Sequence, residues 1–205
     1  KYLKFRSNKL ETKMKIPDIK PGSIIHRETN SHIYANSLEL PSTTHISIVD
    51  KYGNALSMTS TIESSFGSRL MTNGGFLLNN ELTDFSFQKE KKGKRVANNI
   101  EPNKRPRSSM APTIIFKNDK PLFIIGSPGG SNIIGYVVNS IIGLVDWKMN
   151  VQQAASIPHG INKFGTFYLE KNSKISLLKN QLEKKGYKVE LRNFYSGLNL
   201  SLIHI

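Results

Sequence analysis

The chain has 205 residues, no cysteine and a formal net charge of +14. The length suits a single domain with a core of its own. The missing cysteines exclude disulfides, thiolate metal sites and a cysteine nucleophile.

The charge is compatible with nucleic acid, an anionic surface or an acidic partner chain. Its denser patches, Lys89 to Arg95 and Lys104 to Arg107, lack the interleaved aromatics of a surface that stacks single-stranded bases. A basic nucleic-acid-binding module is therefore the remote alternative. No run of about 18 apolar residues appears that would span a membrane. The N-terminus, K-Y-L-K-F-R, has no apolar core of signal-peptide type.

Residues 1–40 are rich in Lys, Arg, Ser and Asn, with Pro17 and Pro21-Gly22 as breakers. Lys1 to Lys13 reads as a short helix, followed by little regular structure. The organising stretch comes next: P-S-T-T-H-I-S-I-V-D-K-Y-G-N-A-L-S-M-T-S-T-I, from Pro41 to Ile62. His45 to Val49 is a β-branched run, Lys51 to Asn54 supplies a turn, and Ala55 to Ile62 returns as a strand. Taken alone, this is equally a Thr-rich surface hairpin.

Ser64 to Gly75 reads as a loop, Phe76 to Leu78 as a short buried strand, and Asn79 to Asp84 as its polar end. The basic segment 86–107, with Pro102 and Pro106, reads as a loop over the surface. Thr113 to Phe116 and Leu122 to Ile125 form a hairpin about Lys117-Asn118-Asp119-Lys120. After Gly126-Ser127-Pro128-Gly129-Gly130, Asn132 to Trp147 is a helix, apolar on nearly every face and so expected to be buried. A second helix starts at Asn150 as N-cap, runs to about Ser156 and stops before Pro158. Phe167 to Leu169 is a strand. Ser173 caps a third helix, with Ile175, Leu178 and Leu182 on one face and Gly186 at its end. Tyr187 to Leu191 and Leu198 to Ile205 close the chain as strands. Strands, then helices, then strands indicate a layered α+β sandwich.

Four blocks carry a resemblance: the hairpin; G-G-F-L-L-N-N-E-L-T-D-F at Gly74 to Phe85; K-R-P-R-S-S-M-A-P-T at Lys104 to Thr113; and G-S-P-G-G at Gly126 to Gly130. In this order and spacing they resemble the small subunit of gamma-glutamyltranspeptidase, over roughly Thr43 to Asn199. The resemblance implies a four-layer αββα sandwich of the N-terminal nucleophile hydrolase type. It implies that residues 1–42 are a large-subunit tail before a cleavage point and that residues 43–205 are the small-subunit domain, shortened at its C-terminus. It implies a large-subunit partner, a small-molecule gamma-glutamyl substrate, no cofactor, no metal, and a periplasmic or secreted location.

A threonine hydroxyl is a poor nucleophile until a base takes its proton. Cleavage before Thr43 would give it a free α-amine with a pKa of about 8, which is then the local base for its own hydroxyl. The resemblance makes Thr43 the nucleophile both of self-cleavage and of catalysis. It gives Thr61, on the partner strand, the role of supporting that hydroxyl. It assigns the oxyanion hole to Gly129 and Gly130, which lie where a strand feeds a helix. A phosphate loop is the competing reading there, but the spaced Lys-Ser/Thr is missing. The resemblance also has Glu81 and Asp84 bind the donor's amine, and Ser108 and Ser109 its carboxylate. His45, two residues from Thr43 on the same strand face, reads as a packing residue.

Two departures bear on the donor. Glu63 stands where glutathione-acting members resembling this chain have Asn, while cephalosporin-acylase-like and poly-gamma-glutamate-acting relatives often have Glu. The arginine that grips the α-carboxylate belongs to the large subunit in the family, and no replacement is read in this chain. A catalytically inactive fragment is the alternative to an active enzyme.

Overall fold

In the computed structural model, residues 32–33, 42–163 and 165–203 are described. The helix expected over Lys1 to Lys13 and most of the leader lie outside them. Among the described residues the strands are β1 (His32–Ile33), β2 (Thr43–Val49), β3 (Ala55–Thr61), β4 (Glu90–Lys91), β5 (Lys94–Val96), β6 (Thr113–Lys117), β7 (Lys120–Gly126), β8 (Gly160–Lys163), β9 (Thr166–Glu170), β10 (Lys188–Arg192) and β11 (Asn199–Leu202). The helices are α1 (Ile133–Val145), α2 (Val151–Ala155) and α3 (Lys179–Lys184).

The β2–β3 hairpin pairs antiparallel in unbroken register, with Thr43 opposite Thr61 and Val49 opposite Ala55. It faces a second sheet, ordered β11-β7-β6. Strand alternation turns the odd-numbered side chains of both hairpin strands toward that sheet. Ser57 Oγ donates to the Ile125 carbonyl at 3.3 Å and Ser47 Oγ to the Asn199 carbonyl at 3.4 Å. His45 lies across Gly126. A Cβ there would sit 2.1 Å from the imidazole, so only glycine lets the two sheets approach this closely. His45 is buried, shares its face with Thr43, and bonds Thr59 Oγ1 at 2.7 Å and Ser47 Oγ at 3.2 Å. Burial lowers its pKa.

The far side of the β11-β7-β6 sheet carries the apolar core. Ile125, Ile133, Val137, Leu144 and Ala154 are buried together there, with Met110, Phe123 and Leu200 packed against them. Hairpin, sheet and helices thus make three successive layers. A third sheet, β10-β9-β8, follows through α1: Ile161 of β8 occupies the space beside Gly135.

Local chemistry accounts for several boundaries. Asn118 and Asp119 both have positive φ, which matches the right-handed twist of a two-residue hairpin turn between β6 and β7. Asn150 accepts from the Gln153 N–H at 2.8 Å while the Gln153 side chain accepts from the Asn150 N–H at 3.0 Å, a reciprocal capping box.

Four expectations need correction. Phe76 to Leu78 is not a buried strand: Phe76 and Leu78 are exposed, and only a single bridge, Met71 to Leu77, forms. Segment 86–107 is more than a surface loop. It contains β4 and β5 and buries Val96 and Asn99, whose amide donates to Glu101 at 3.1 Å and accepts from Lys104 at 3.0 Å. Helix α1 is not buried all round, because Ile134, Val138 and Val145 are exposed on one side. Ser173 does precede the third helical segment, but its hydroxyl donates to the Glu170 carbonyl instead of capping, and the segment begins as a 3-10 turn, Lys174–Leu178. Strand β8 was not anticipated.

Candidate active site

The register of the hairpin brings two hydroxyls together at its open end. Thr43 Oγ1 donates to Thr61 Oγ1 at 3.2 Å. Thr61 Oγ1 in turn donates to the Ser42 carbonyl at 3.2 Å and accepts from the Glu63 N–H at 3.0 Å. One hydroxyl therefore touches both the side chain of Thr43 and the carbonyl of the peptide bond that precedes it.

Past β3 the chain turns sharply. Glu63 has φ of +71°, a left-handed conformation uncommon outside glycine. Asn80 holds this turn: its Oδ1 accepts from the Ser64 N–H and hydroxyl, both at 3.0 Å, and its Nδ2 donates to Glu63 and, at 3.0 Å, to Thr83. The same asparagine thereby ties Glu63 to the 3-10 turn Glu81–Asp84. Asn98 makes the next tie. Its Nδ2 donates to the Asp84 carbonyl at 2.6 Å, and its Oδ1 accepts from the Arg107 N–H at 3.0 Å. Neither asparagine was singled out in the sequence. An amide that donates and accepts at once is the signal that such a crosslink leaves, and it is silent until both loops are placed.

These ties border an open cleft lined by Thr43, Thr61, Glu63, Glu81, Asp84, Arg107, Ser108, Ser109, Met110, Gly130, Ser131 and Ile133. The cleft gathers every sequence-predicted site residue except Gly129. Gly129 is buried just behind Gly130, with φ of +133°, and a Cβ on it would come within 2.5 Å of the Tyr136 ring. Tyr136 packs at a tilt against His159, ring centroids 4.3 Å apart, and His159 Nε2 bonds Ser196 Oγ at 2.9 Å. This aromatic backing of the glycine loop also escaped the sequence reading.

The electrostatics of the cleft are uneven. Burial, then the neighbouring Asp84 and Glu63, raise the Glu81 pKa. Glu81 Oε2 is buried without a hydrogen-bond partner, so a carboxylate oxygen there can accept from a ligand's ammonium. Arg107 Nη2 lies 3.6 Å from Asp84 Oδ1. Elsewhere in the basic patches, Arg95 and Lys104 pair with Glu101. Among the described residues no cluster of His, Asp or Glu is placed to hold a metal, and no helix is long and apolar enough to cross a membrane.

A threonine at the head of an inner strand, its partner-strand threonine, and a glycine loop across one cleft fit an N-terminal nucleophile hydrolase, and the solved structures similar to this chain share that fold. An acivicin-inhibited gamma-glutamyltranspeptidase superposes with a TM-score of 0.71 at 39% identity, over 79% of this chain and 90% of that one. A Thr-to-Ala mutant of Helicobacter pylori gamma-glutamyltranspeptidase gives 0.69 at 41% identity, over 77% and 89%. The gamma-glutamyltranspeptidase family profile matches residues 1–203, and the chain belongs to that family. It is 37% identical over 183 residues to the glutathione hydrolase proenzyme of Escherichia coli, covering 85% of this chain and 30% of that protein. With the Bacillus subtilis glutathione hydrolase proenzyme, identity is 45% over 117 residues, 57% of this chain and 19% of that protein. The chain thus spans less than a third of the length of these curated relatives.

Proposed function

We propose that this chain is the small-subunit region of an enzyme that transfers or hydrolyses gamma-glutamyl groups through an ester on Thr43. The observation that carries the reading is the Thr61 hydroxyl, which bonds both Thr43 Oγ1 and the Ser42 carbonyl.

Self-cleavage follows from that contact. Thr43 Oγ attacks the Ser42 carbonyl carbon, whose oxygen Thr61 polarises. The C–N bond to Thr43 breaks and its nitrogen takes a proton, leaving an ester that water hydrolyses. The products are a Ser42 carboxylate and a Thr43 with a free α-amine. Thr61, relieved of the Ser42 carbonyl, can then donate to Thr43 Oγ. In catalysis the amine takes the hydroxyl proton as Oγ attacks the donor's γ-carbonyl carbon. The oxyanion forms beside the Gly129-Gly130 loop. The donor's C–N bond breaks, its leaving amine takes the proton, and water or an acceptor amine releases the acyl group. Glu81, with its unpartnered oxygen, receives the donor's ammonium, and Ser108 and Ser109 offer hydroxyls to its carboxylate.

A large-subunit partner is part of the same reading. The outward face of the hairpin exposes Ile46, Ile48, Leu56 and Met58, an apolar strip that a further layer would cover. The relatives being proenzymes supports cleavage of one precursor into both parts.

The test is turnover of a chromogenic gamma-glutamyl anilide by the processed enzyme. The wild type is expected to release the aniline and Thr43→Ala to release none. Equal rates in the two proteins would overturn the proposal.

A further inference from the structure

Backbone N–H groups stabilise an oxyanion only when they are fixed in advance. The Gly129-Gly130 turn has little of its own to fix it. Gly129 has φ of +133°, and the 3-10 turn after it, Gly130–Asn132, is a single turn. Within it, the Asn132 N–H donates to the Gly129 carbonyl at 3.2 Å.

Three rings are packed behind this turn. Tyr136 of α1 is fully buried, and its ring carbons Cε2 and Cδ2 are the atoms that a Cβ on Gly129 would meet. Tyr136 and His159 tilt against each other, and both contact Phe194 edge-on, with centroids 6.0 and 5.9 Å away. His159 is held at three points. Its N–H donates to Glu170 Oε2 at 2.8 Å, its carbonyl accepts from the Glu170 N–H at 2.9 Å, and its Nε2 bonds Ser196 Oγ. The segment between β10 and β11 that carries Phe194 and Ser196 also meets the glycine loop directly: a Cβ on Gly197 would come within 2.7 Å of Pro128.

We infer that Tyr136 is the positioning residue of the oxyanion turn, braced by His159 and, through it, by Ser196. Its ring keeps the Gly129 and Gly130 N–H groups where the oxyanion of acyl transfer forms. This rests on the reaction proposed above, and it separates the two reactions of Thr43. The carbonyl attacked in self-cleavage, that of Ser42, bonds Thr61, so the aromatic brace serves donor turnover and not precursor cleavage.

The experiment compares Tyr136→Leu, Tyr136→Phe and Ser196→Ala with the wild type, with turnover of the gamma-glutamyl anilide expressed per cleaved molecule. A misplacement of about 1 Å costs up to about 100-fold, so Tyr136→Leu should lower kcat roughly 10- to 100-fold. KM should stay within about twofold, as expected when only the transition state loses an interaction. Tyr136→Phe keeps the ring carbons and should restore kcat to within about twofold of the wild type. Ser196→Ala, at an exposed position, should lower kcat by roughly 3- to 10-fold. Precursor cleavage should keep its wild-type rate in all three. Wild-type kcat in Tyr136→Leu and Ser196→Ala, a loss carried by KM, equal harm from Phe and Leu, or a parallel loss of precursor cleavage would overturn the inference. If Tyr136→Leu does not fold, Ser196→Ala carries the test alone. If the wild type does not turn over the anilide, the reaction proposed above fails, and hydrogen exchange decides the brace by itself. The Asn132 amide should then exchange about tenfold faster in Tyr136→Leu or, where that variant does not fold, in Ser196→Ala. An unchanged rate would overturn the inference.

Discussion

The two faces of the β2–β3 hairpin differ in kind. The inward face carries Thr43, His45, Ser47, Ser57, Thr59 and Thr61; the outward face carries Ile46, Ile48, Leu56 and Met58, each between 38% and 49% exposed. A hairpin on the outside of a protein has the opposite arrangement, apolar in and polar out. Here the hydroxyls and the imidazole are satisfied by one another and by the backbone of the facing sheet. On the function proposed above, the inward face holds the chemistry and the outward face takes a covering layer. Substitutions on the two faces should accordingly fail in different ways.

The largest effect after loss of Thr43 itself is expected at Thr61. Thr61→Val keeps the shape but removes the hydroxyl that links Thr43 to the Ser42 carbonyl. Precursor cleavage should slow on the order of 10- to 100-fold, followed as band conversion on a denaturing gel against time. A wild-type rate would detach Thr61 from the reaction.

Thr59→Val, on the same face, should act on stability instead. It leaves buried His45 without its 2.7 Å partner, at a cost of about 1–3 kcal/mol, read from the denaturant midpoint at unchanged slope. If processing fell and stability did not, the inward face would not divide as argued.

Glu81 gives a pH signature. Its pKa is raised, first by burial and then by Asp84 and Glu63. Binding an ammonium needs the ionised form, so kcat/KM for the gamma-glutamyl donor should fall on acidification at a higher pH than an ordinary glutamate would dictate. Glu81→Gln should lower the plateau and remove that limb. The stability sign is the reverse: a raised carboxyl pKa disfavours the folded state above that pKa, and this penalty is relieved as pH falls through it. An unchanged acid limb in Glu81→Gln would place the titrating group elsewhere.

The smallest effect on this chain belongs to the outward face. Ile48→Ser should alter its own stability by no more than about 0.5 kcal/mol, while weakening association with the covering subunit in a co-purification assay. A large loss of stability with association intact would mean that the apolar strip serves this chain alone.

What could be read in the sequence was what local chemistry specifies. The hairpin, the Lys117 to Lys120 turn and the Asn150 cap each depend on residues close in the chain, and the structure has all three. Thr43 and Thr61 could be paired because the turn at Lys51 to Asn54 sets the register between them. Where contacts are distant, the sequence was silent or misleading. Phe76 and Leu78 are apolar but lie in a loop with a single bridge. Val96 is buried inside a strongly basic segment because Asn99, Glu101 and Lys104 satisfy one another around it. Strand β8, Gly160–Lys163, has little strand character and exists through its pairing with β9. Arg107 was read only as part of the basic run Lys104 to Arg107, and only the fold sets it beside Asp84.

The central claim, that Thr43 becomes an N-terminal residue, is tested most directly by intact-mass and N-terminal analysis of the purified protein beside its Thr43→Ala variant. The expected result is a fragment beginning at Thr43 in the wild type and an uncut precursor in the variant. An uncut wild type that still turns over gamma-glutamyl anilide, or cleavage before residue 43 in the variant, would contradict it.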